Sequence, residues 1–241
     1  MFSGTEDYYD LIYRTFKNYR AEAQALQARI ESLHPLACTI LDAACGTGEH
    51  HQYLSARFLV EGIDLNAPFL QIARQKNPEC RYSLADMRDF SLGRTFDVVT
   101  CLFGSIGYVR TVDGLMAAFS CFRSHLGRDG LLIVEPWFTP ERWVSGKLAT
   151  TSVTSDELHV CRMARGELRG GLSVLELQYL VGAPQDGIRH FREEHEMGLF
   201  RAEEMLVALA ATGFEAIFDE QGLMDSRGLY VARAVHGAQS S

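Results

Sequence analysis

A glycine-containing turn between an apolar strand and a helix constrains this chain more than any other feature. The run ILDAACGTGE spans residues 40–49 and places Gly46 and Gly48 directly after the strand, with one residue between them. Glycine lets the backbone approach a ligand closely because it has no side chain. The turn has no third spaced glycine and no following Lys-Ser/Thr pair, so it matches neither the dinucleotide fingerprint nor the phosphate-binding loop.

Acidic residues follow the next two predicted strands. A second apolar strand at 58–64 ends at Asp64, and a carboxylate there can accept hydrogen bonds from a ribose diol. Asp86 and Met87 follow the third strand and fit an adenine cradle, with a carboxylate for the exocyclic amine and a backbone N–H for a ring nitrogen. Together with the glycine turn they predict a site for an adenine nucleoside. A generic strand-turn-helix whose glycines only ease packing is the alternative.

Strands and helices alternate along the first half of the chain. Continuous apolar strands in such an alternation indicate a parallel sheet with both faces covered. From about residue 150 to residue 200 the pattern changes to period-two alternation punctuated by glycine and proline, which predicts three or four antiparallel strands. The predicted fold class is therefore α/β, a doubly wound, mainly parallel Rossmann-like sheet with an inserted antiparallel β-subdomain.

The predicted boundaries follow from the same patterns. One helical segment at 5–34 comes first, and another helix begins at about residue 47, after the glycine turn. The predicted strands of the first half are 38–43, 58–64, 80–85, 96–103 and 130–136. Three parts are predicted: N-terminal helices and the nucleoside-binding core at 1–136, an antiparallel insert over the site at 137–200, and a closing helix with a terminal strand pair at 201–241.

The net charge and the cysteine spacing argue against several classes of binding partner. The formal net charge of −8 argues against a broad surface for nucleic acid or an anionic membrane, and no apolar run approaches membrane-spanning length. The six cysteines are scattered, without a CxxC pair or Cys/His ligand spacing, which is typical of reduced thiols in a cytoplasmic protein. We therefore predict a small-molecule partner, no metal site, no nucleic-acid partner and no membrane partner. A homodimer is left open.

Tyrosines are the first group of candidate site residues. Tyr9, Tyr13 and Tyr19 lie in the N-terminal helical segment, where core packing is the alternative for each. Tyr108 follows the fourth strand in the loop GSIGY, at the carboxyl edge of the sheet where open α/β folds bind ligands. A tyrosine at that edge is well placed to contact a substrate.

Three further candidates lie in or beside the later strands. Trp137 ends the fifth strand and opens the insert, as a wall of the site or as a hinge. Arg227 lies in a glycine-flanked turn, where a guanidinium can hold a phosphate by two hydrogen bonds. His190 and His195 point to opposite faces of one strand, so they are poor joint metal ligands. His190 is assigned as the candidate base near the substrate, and an amphipathic strand with exposed charges is the alternative.

The glycine turn resembles motif I of the S-adenosylmethionine (SAM)-dependent methyltransferases. Eight segments in order resemble, more specifically, the bacterial SAM-dependent N,N-dimethyltransferases of dTDP-linked 3-amino-3,6-dideoxyhexoses. These segments are YDLIY at 9–13, KNY at 17–19, LDAACGTG at 41–48, DMRDF at 86–90, GSIGY at 104–108, EPWF at 135–138, GIRHF at 187–191 and SRGLY at 226–230. The resemblance covers nearly the whole chain. It implies a seven-stranded class I methyltransferase sheet with SAM as cofactor and S-adenosylhomocysteine as its product.

The resemblance also implies roles for individual residues. Tyr9 would lie beside the sulfonium or the amine, Tyr108 near the sugar amine, and Arg227 at the nucleotide pyrophosphate. The predicted catalytic set is Tyr108, Tyr9 and His190, and the predicted substrate-binding set is Trp137 and Arg227. The predicted cofactor-binding set is Tyr13, Tyr19, Ala44, Gly46, Gly48, Asp64, Leu65, Asp86 and Met87.

These observations predict a SAM-dependent N-methyltransferase acting on a small-molecule amine, with a nucleotide-linked amino sugar as the substrate that the resemblance implies. Other acceptors stay open: an amino acid or aminoacyl natural-product intermediate, or the oxygen or carbon of a secondary metabolite. A methyltransferase fold that only binds the nucleoside is the non-enzymatic alternative, and the glycines with Asp64 and Asp86 argue against it. Catalysis is predicted to be positional, with Tyr9 and Tyr108 orienting the amine.

Overall fold

The computed structural model describes residues 6–155, 157–223 and 227–235, so Ser226 of the segment SRGLY lies outside the described residues. The helices are α1 (Glu6–Tyr13), α2 (Tyr19–Leu33), α3 (His51–Leu54), α4 (Ala67–Lys76), α5 (Val112–Ser124) and α6 (Ala202–Ala211), with a 3₁₀ helix at Ser105–Val109. The strands are β1 (Thr39–Ala43), β2 (Leu59–Asp64), β3 (Arg81–Leu84), β4 (Phe96–Cys101), β5 (Leu126–Val134), β6 (Leu148–Thr154), β7 (His159–Arg169), β8 (Leu172–Ala183), β9 (Gly187–Gly198), β10 (Phe214–Asp219) and β11 (Leu229–Ala234).

Seven strands form the main sheet in the order β10-β11-β5-β4-β1-β2-β3. Strands β1 to β5 are parallel to their neighbours in this group, and β11 is antiparallel to both β5 and β10. The strand order reverses between β1 and β4, and such a switch point leaves a crevice at the carboxyl ends of the strands. The predicted doubly wound, mainly parallel seven-stranded sheet is confirmed.

The central strands are buried on both faces. Leu41 of β1 and Val99 of β4 belong to one apolar cluster, and their neighbours Ile40 and Val98 belong to a second cluster on the opposite face. All four side chains are fully buried. Because both faces are covered by helices, neighbouring residues along each of these strands are apolar, rather than every second residue.

The predicted antiparallel insert is a four-stranded sheet in the order β6-β7-β8-β9. Its buried face packs against helix α1, where Tyr8 and Ile12 join Val160, Leu177 and Tyr179 in a third apolar cluster. Helix α1 therefore lies between the insert and the main sheet. The part boundaries at 136/137 and 200/201 stay predictions.

Two helices differ from the predicted segments. The segment at 5–34 is split, because α1 ends at Tyr13 and α2 begins after Asn18, whose Oδ1 accepts a hydrogen bond from the Ala21 N–H at 3.0 Å. The helix predicted from about residue 47 begins only at His51, because the turn before it has left-handed backbone at Gly48. In the described ranges no helix is long and apolar enough to cross a membrane.

Candidate active site

The turn after β1 is built from backbone conformations that favour glycine. Gly46 has φ 56°, and Ala44 adopts φ 59°, a left-handed conformation that is uncommon for a residue with a side chain. The Gly46 N–H donates a hydrogen bond to Asp64 Oδ2 at 2.8 Å, and the Asn66 N–H donates to Asp64 Oδ1 at 2.8 Å. The carboxylate at the end of β2 therefore fixes the turn after β1.

A cavity of about 680 Å³ opens at this edge of the sheet. That volume is within the range of small-molecule sites. Ten of the predicted site residues line it: Tyr9, Tyr13, Ala44, Gly46, Asp64, Leu65, Met87, Tyr108, Trp137 and Arg227. Residues of β7, β8 and β9 also line it, so the insert and α1 close the cavity over the carboxyl edge of the main sheet.

One end of the cavity suits an adenine nucleoside. Asp64 lines the cavity together with the apolar side chains of Leu65 and Met87. Desolvation raises the pKa of Asp64, although hydrogen bonds from the Asn66 and Gly46 N–H groups oppose the shift. A Cβ placed on Gly46 would have only Phe69 within reach, at 4.0 Å, so the turn leaves open space beside the carboxylate. A ribose diol can bond the carboxylate while an adenine ring contacts the apolar walls.

Aromatic rings from α1 form a second wall. The ring centroids of Tyr9 and Tyr13 are 4.3 Å apart, and Tyr9 also lies 4.8 Å from Phe69. Burial raises the pKa of Tyr9 well above its ordinary value and also raises the pKa of Tyr13, so both phenols are neutral at physiological pH. Neutral aromatic faces attract cations within about 6 Å. This wall can therefore face the sulfonium of SAM.

Arg227 lies in a box of aromatic rings. Its guanidinium carbon is 4.8 Å from the Phe103 centroid, 4.9 Å from Trp137 and 5.3 Å from Phe138. Trp137 is fixed in turn by donating from Nε1 to Ser173 Oγ at 2.9 Å. Among the described residues, the buried Arg227 Nη1 has no hydrogen-bond partner. Arg227 thus lines the cavity and carries a buried donor that no described group accepts from.

Comparisons with known proteins agree with this geometry. Residues 40–130 match a family model described as a methyltransferase domain. The chain is 40% identical over 224 residues to the dTDP-3-amino-3,6-dideoxy-alpha-D-glucopyranose N,N-dimethyltransferase of Streptomyces fradiae, covering 92% of this chain and 88% of the relative.

Two solved structures share the whole fold. Streptomyces venezuelae DesVI gives a TM-score of 0.91 at 34% identity, covering 98% of this chain and 100% of that one. SAM-bound CalS10, an amino pentose methyltransferase from Micromonospora echinaspora, gives a TM-score of 0.85 at 36% identity, covering 98% of each chain. The chain belongs to the dTDP-amino-sugar N,N-dimethyltransferase family. As predicted, it is a SAM-dependent N-methyltransferase of a small-molecule amine.

In this methyltransferase a histidine of the insert contacts Tyr108. Tyr108 lies on the 3₁₀ helix, and its Oη is 2.8 Å from Nδ1 of His195 on β9. His195 Nε2 is in turn 3.6 Å from Glu193 Oε2. The sequence pattern placed His190 and His195 on opposite faces but did not tell which face is turned to the cavity. The histidine that lines the cavity is His195.

His190 and Tyr19, which were assigned to the site, lie outside the cavity lining of the methyltransferase. His190 is exposed on the other face of β9, where its Nε2 is 2.7 Å from Gln178 Oε1. Tyr19 is buried at the start of α2, with its ring edge-on to His50 at 5.1 Å. Alternation along β9 turns His190 to the face opposite His195, and the site roles assigned to His190 and Tyr19 from the sequence stay predictions.

Gly48 and Asp86 also lie outside the lining. A Cβ on Gly48 would be 2.8 Å from Asn77 Nδ2 and 2.9 Å from Tyr82 Oη, so this glycine makes room for packing behind the turn. Asp86 receives hydrogen bonds from Arg88, which lower the pKa of its carboxyl group. The cofactor roles assigned to Gly48 and Asp86 from the sequence stay predictions.

Ion pairs fasten α1 of the methyltransferase to the glycine turn. Thr47 Oγ1 donates to Asp10 Oδ1 at 2.5 Å, and Arg14 donates twice to Glu49, at 2.9 and 2.8 Å. Lys76 of α4 pairs with Asp10 and lies 2.5 Å from Glu49 Oε1. Because α1 carries Tyr9 and Tyr13, this network sets the position of the aromatic wall.

Replacing Lys76 with methionine is expected to lower the free energy of unfolding by about 2 kcal/mol. Loss of one partner from a buried ion pair costs about 3–5 kcal/mol, and here Arg14 still neutralises Glu49. Thermal unfolding checks this, with the exposed Lys147→Met as the matched control.

The same pair of variants has a defined pH dependence. Burial alone would raise the pKa of Glu49, but Arg14 and Lys76 outweigh burial and lower it. A carboxylate with a lowered pKa stabilises the fold above its unfolded-state pKa and loses this contribution as the pH falls through its folded-state pKa. The difference in the free energy of unfolding between wild type and Lys76→Met should therefore become smaller as the pH falls. Equal free energies of unfolding at neutral pH would mean that the network does not stabilise the fold.

Proposed function

We propose that this methyltransferase transfers two methyl groups from SAM to the amine of a dTDP-linked amino sugar. The observation that carries the proposal is Arg227, whose buried Nη1 has no hydrogen-bond partner in the described part of the chain. A guanidinium binds a phosphate through paired charge-assisted hydrogen bonds, so a pyrophosphate suits it well. The Streptomyces fradiae relative, by its name, acts on a dTDP-linked amino sugar, which supports the same substrate class here.

The cavity residues would act by position. When bound, SAM supplies a methyl group already activated on its sulfonium. Asp64 would hold the ribose, the rings of Tyr9 and Tyr13 would face the sulfonium, and Tyr108 would orient the amine. Trp137 would wall the sugar side. Holding two reactants at near-attack distance can contribute about 7–11 kcal/mol to lowering the barrier, so little further chemistry is required of the protein for methyl transfer itself.

The proposal extends to the cellular setting. We propose a cytoplasmic enzyme of secondary metabolism without nucleic-acid or membrane partners, and we leave a homodimer open. The net charge of −8 and the free state of all six cysteines support this setting, because disulfides form in oxidising compartments.

Turnover assays with SAM test the substrate class. The panel is a dTDP-linked 3-amino sugar, its 4-amino isomer, a methyl glycoside of the same amino sugar and a set of amino acids. Mass spectrometry of the products is expected to detect one and then two added methyl groups on a dTDP-linked sugar. Methylation of the glycoside or an amino acid with equal efficiency would contradict the nucleotide-sugar assignment and leave the methyltransferase activity in place.

A further inference from the structure

Dimethylation of an amine requires a route for protons. A primary amine is largely protonated at neutral pH, and an ammonium nitrogen has no lone pair with which to accept a methyl group. Each transfer also leaves the product nitrogen positively charged, so a second proton must leave before the second transfer. The proposed function, on which this inference rests, therefore needs a proton acceptor within reach of the amine.

Three side chains form a line from the cavity into the insert: Tyr108, His195 and Glu193. Tyr108 is 37% exposed and faces the cavity, whereas the side chains of His195 and Glu193 are 2% and 0% exposed. The distances are 2.8 Å from Tyr108 Oη to His195 Nδ1 and 3.6 Å from His195 Nε2 to Glu193 Oε2. Desolvation in the cavity raises the pKa of Tyr108, so its phenol is neutral at neutral pH and must release its own proton when it accepts another.

Polar groups of the insert surround the buried end of this line. Glu193 hydrogen-bonds Tyr179 of β8, and Tyr179 is also close to Arg162 of β7. Glu193 also places a carboxyl group 3.6 Å from His195 Nε2, on the side of the ring away from Tyr108. Further titratable or charged groups near the line are Tyr9 and Tyr13 of α1, Asp64 at the end of β2, and the ion pairs Glu194–Arg169 and Glu196–Arg110.

We propose that Tyr108, His195 and Glu193 form the route by which the substrate amine loses its proton before each methyl transfer. The ammonium N–H bond breaks as its proton moves to Tyr108 Oη, and the original Tyr108 hydroxyl proton moves to His195 Nδ1. The products of this step are a neutral amine, a neutral phenol and an imidazolium facing Glu193. The step requires His195 to begin with its proton on Nε2. The proton returns to water through Tyr108 when the product leaves.

The test is the pH profile of kcat/KM for His195→Gln, measured with SAM and the dTDP-amino sugar that the wild-type enzyme accepts. Glutamine can still hydrogen-bond Tyr108 but cannot take up a proton. We expect a loss of about 100-fold at pH 7, because a positioned base contributes about 10²–10⁴-fold. The deficit should shrink about tenfold per pH unit as the free amine becomes more abundant. The product ratio should also shift from dimethylated towards monomethylated sugar.

The control is His159→Gln, at an exposed position on β7 of the insert and outside the cavity lining, which should keep the wild-type profile and product ratio. Unchanged S-adenosylhomocysteine affinity by calorimetry verifies that the cofactor end of each variant is intact. A His195→Gln profile parallel to that of wild type overturns the route, because a packing defect lowers the rate equally at every pH.

A substitute variant and a second substrate cover the cases in which His195→Gln does not fold or the substrate is another amine. If His195→Gln does not fold, Tyr108→Phe takes its place, since it removes only the phenol oxygen and is expected to give the same pH-dependent deficit. If the wild-type enzyme methylates another amine and no dTDP-amino sugar, the substrate assignment fails. The proton route is then judged separately by the same pH profiles with that amine.

Discussion

Replacing Asp64 with alanine is expected to raise the dissociation constant for S-adenosylhomocysteine by about 1,000-fold. In the proposed role the carboxylate accepts hydrogen bonds from two ribose hydroxyls, and a hydrogen bond to a charged group contributes about 1.5–3 kcal/mol. A combined loss of about 4 kcal/mol corresponds to three factors of ten. The substitution also removes the acceptor that fixes the Gly46 N–H in the turn after β1. Calorimetric titration measures the change directly.

Two variants show whether the carboxylate or the fold is responsible. Asp64→Asn keeps the shape and one acceptor oxygen, so we expect an intermediate loss of about 30-fold. Glu61→Ala removes an acid from the same strand, where Glu61 pairs with Arg94 outside the cavity, and should leave S-adenosylhomocysteine affinity unchanged. Thermal unfolding of each variant without ligand reports on the fold. Wild-type affinity in a folded Asp64→Ala would mean that the ribose binds elsewhere.

The sheet could be predicted from the sequence because its strands are buried on both faces. Strands with neighbouring buried apolar residues, such as Ile40 and Leu41 of β1 or Val98 and Val99 of β4, have few alternative arrangements, and their alternation with helices specifies parallel neighbours. The boundaries were harder to predict where the backbone is unusual. Strand β5 begins at Leu126 rather than at 130 and includes Asp129 with φ 61°, which no apolar pattern indicates.

Site residues at the carboxyl ends of the main-sheet strands could be predicted from the sequence. Site residues contributed by the insert could not. Asp64, Met87 and Tyr108 follow parallel strands whose carboxyl ends meet at one edge of the sheet, so their sequence positions place them together. Arg162 and His195 reach the cavity from β7 and β9 of the insert. Period-two alternation defines two faces of such strands, but only the packing of the insert against α1 decides which face is turned inward.

Replacing Arg227 with alanine is expected to raise the KM for a dTDP-amino sugar by about 100-fold and to leave S-adenosylhomocysteine affinity unchanged. Loss of a bidentate guanidinium–phosphate contact is expected to cost about 3 kcal/mol, because the contact is charge-assisted and partly shielded from water. Arg227→Lys keeps the charge without the planar fork and should recover only part of the loss. The matched control is Arg233→Ala on the exposed side of β11, where Arg233 donates to the Leu33 carbonyl oxygen.

A second substrate separates anion binding from shaping of the cavity wall. An amino sugar without the nucleotide offers no pyrophosphate, so wild type and Arg227→Ala should methylate it with equal, low efficiency. Arg227 also packs against Phe103 and Trp137, and its removal could displace those rings. Displaced rings would lower turnover of both substrates by the same factor. An equal loss on both substrates would therefore contradict pyrophosphate recognition, whereas a loss confined to the nucleotide sugar would assign that role to Arg227.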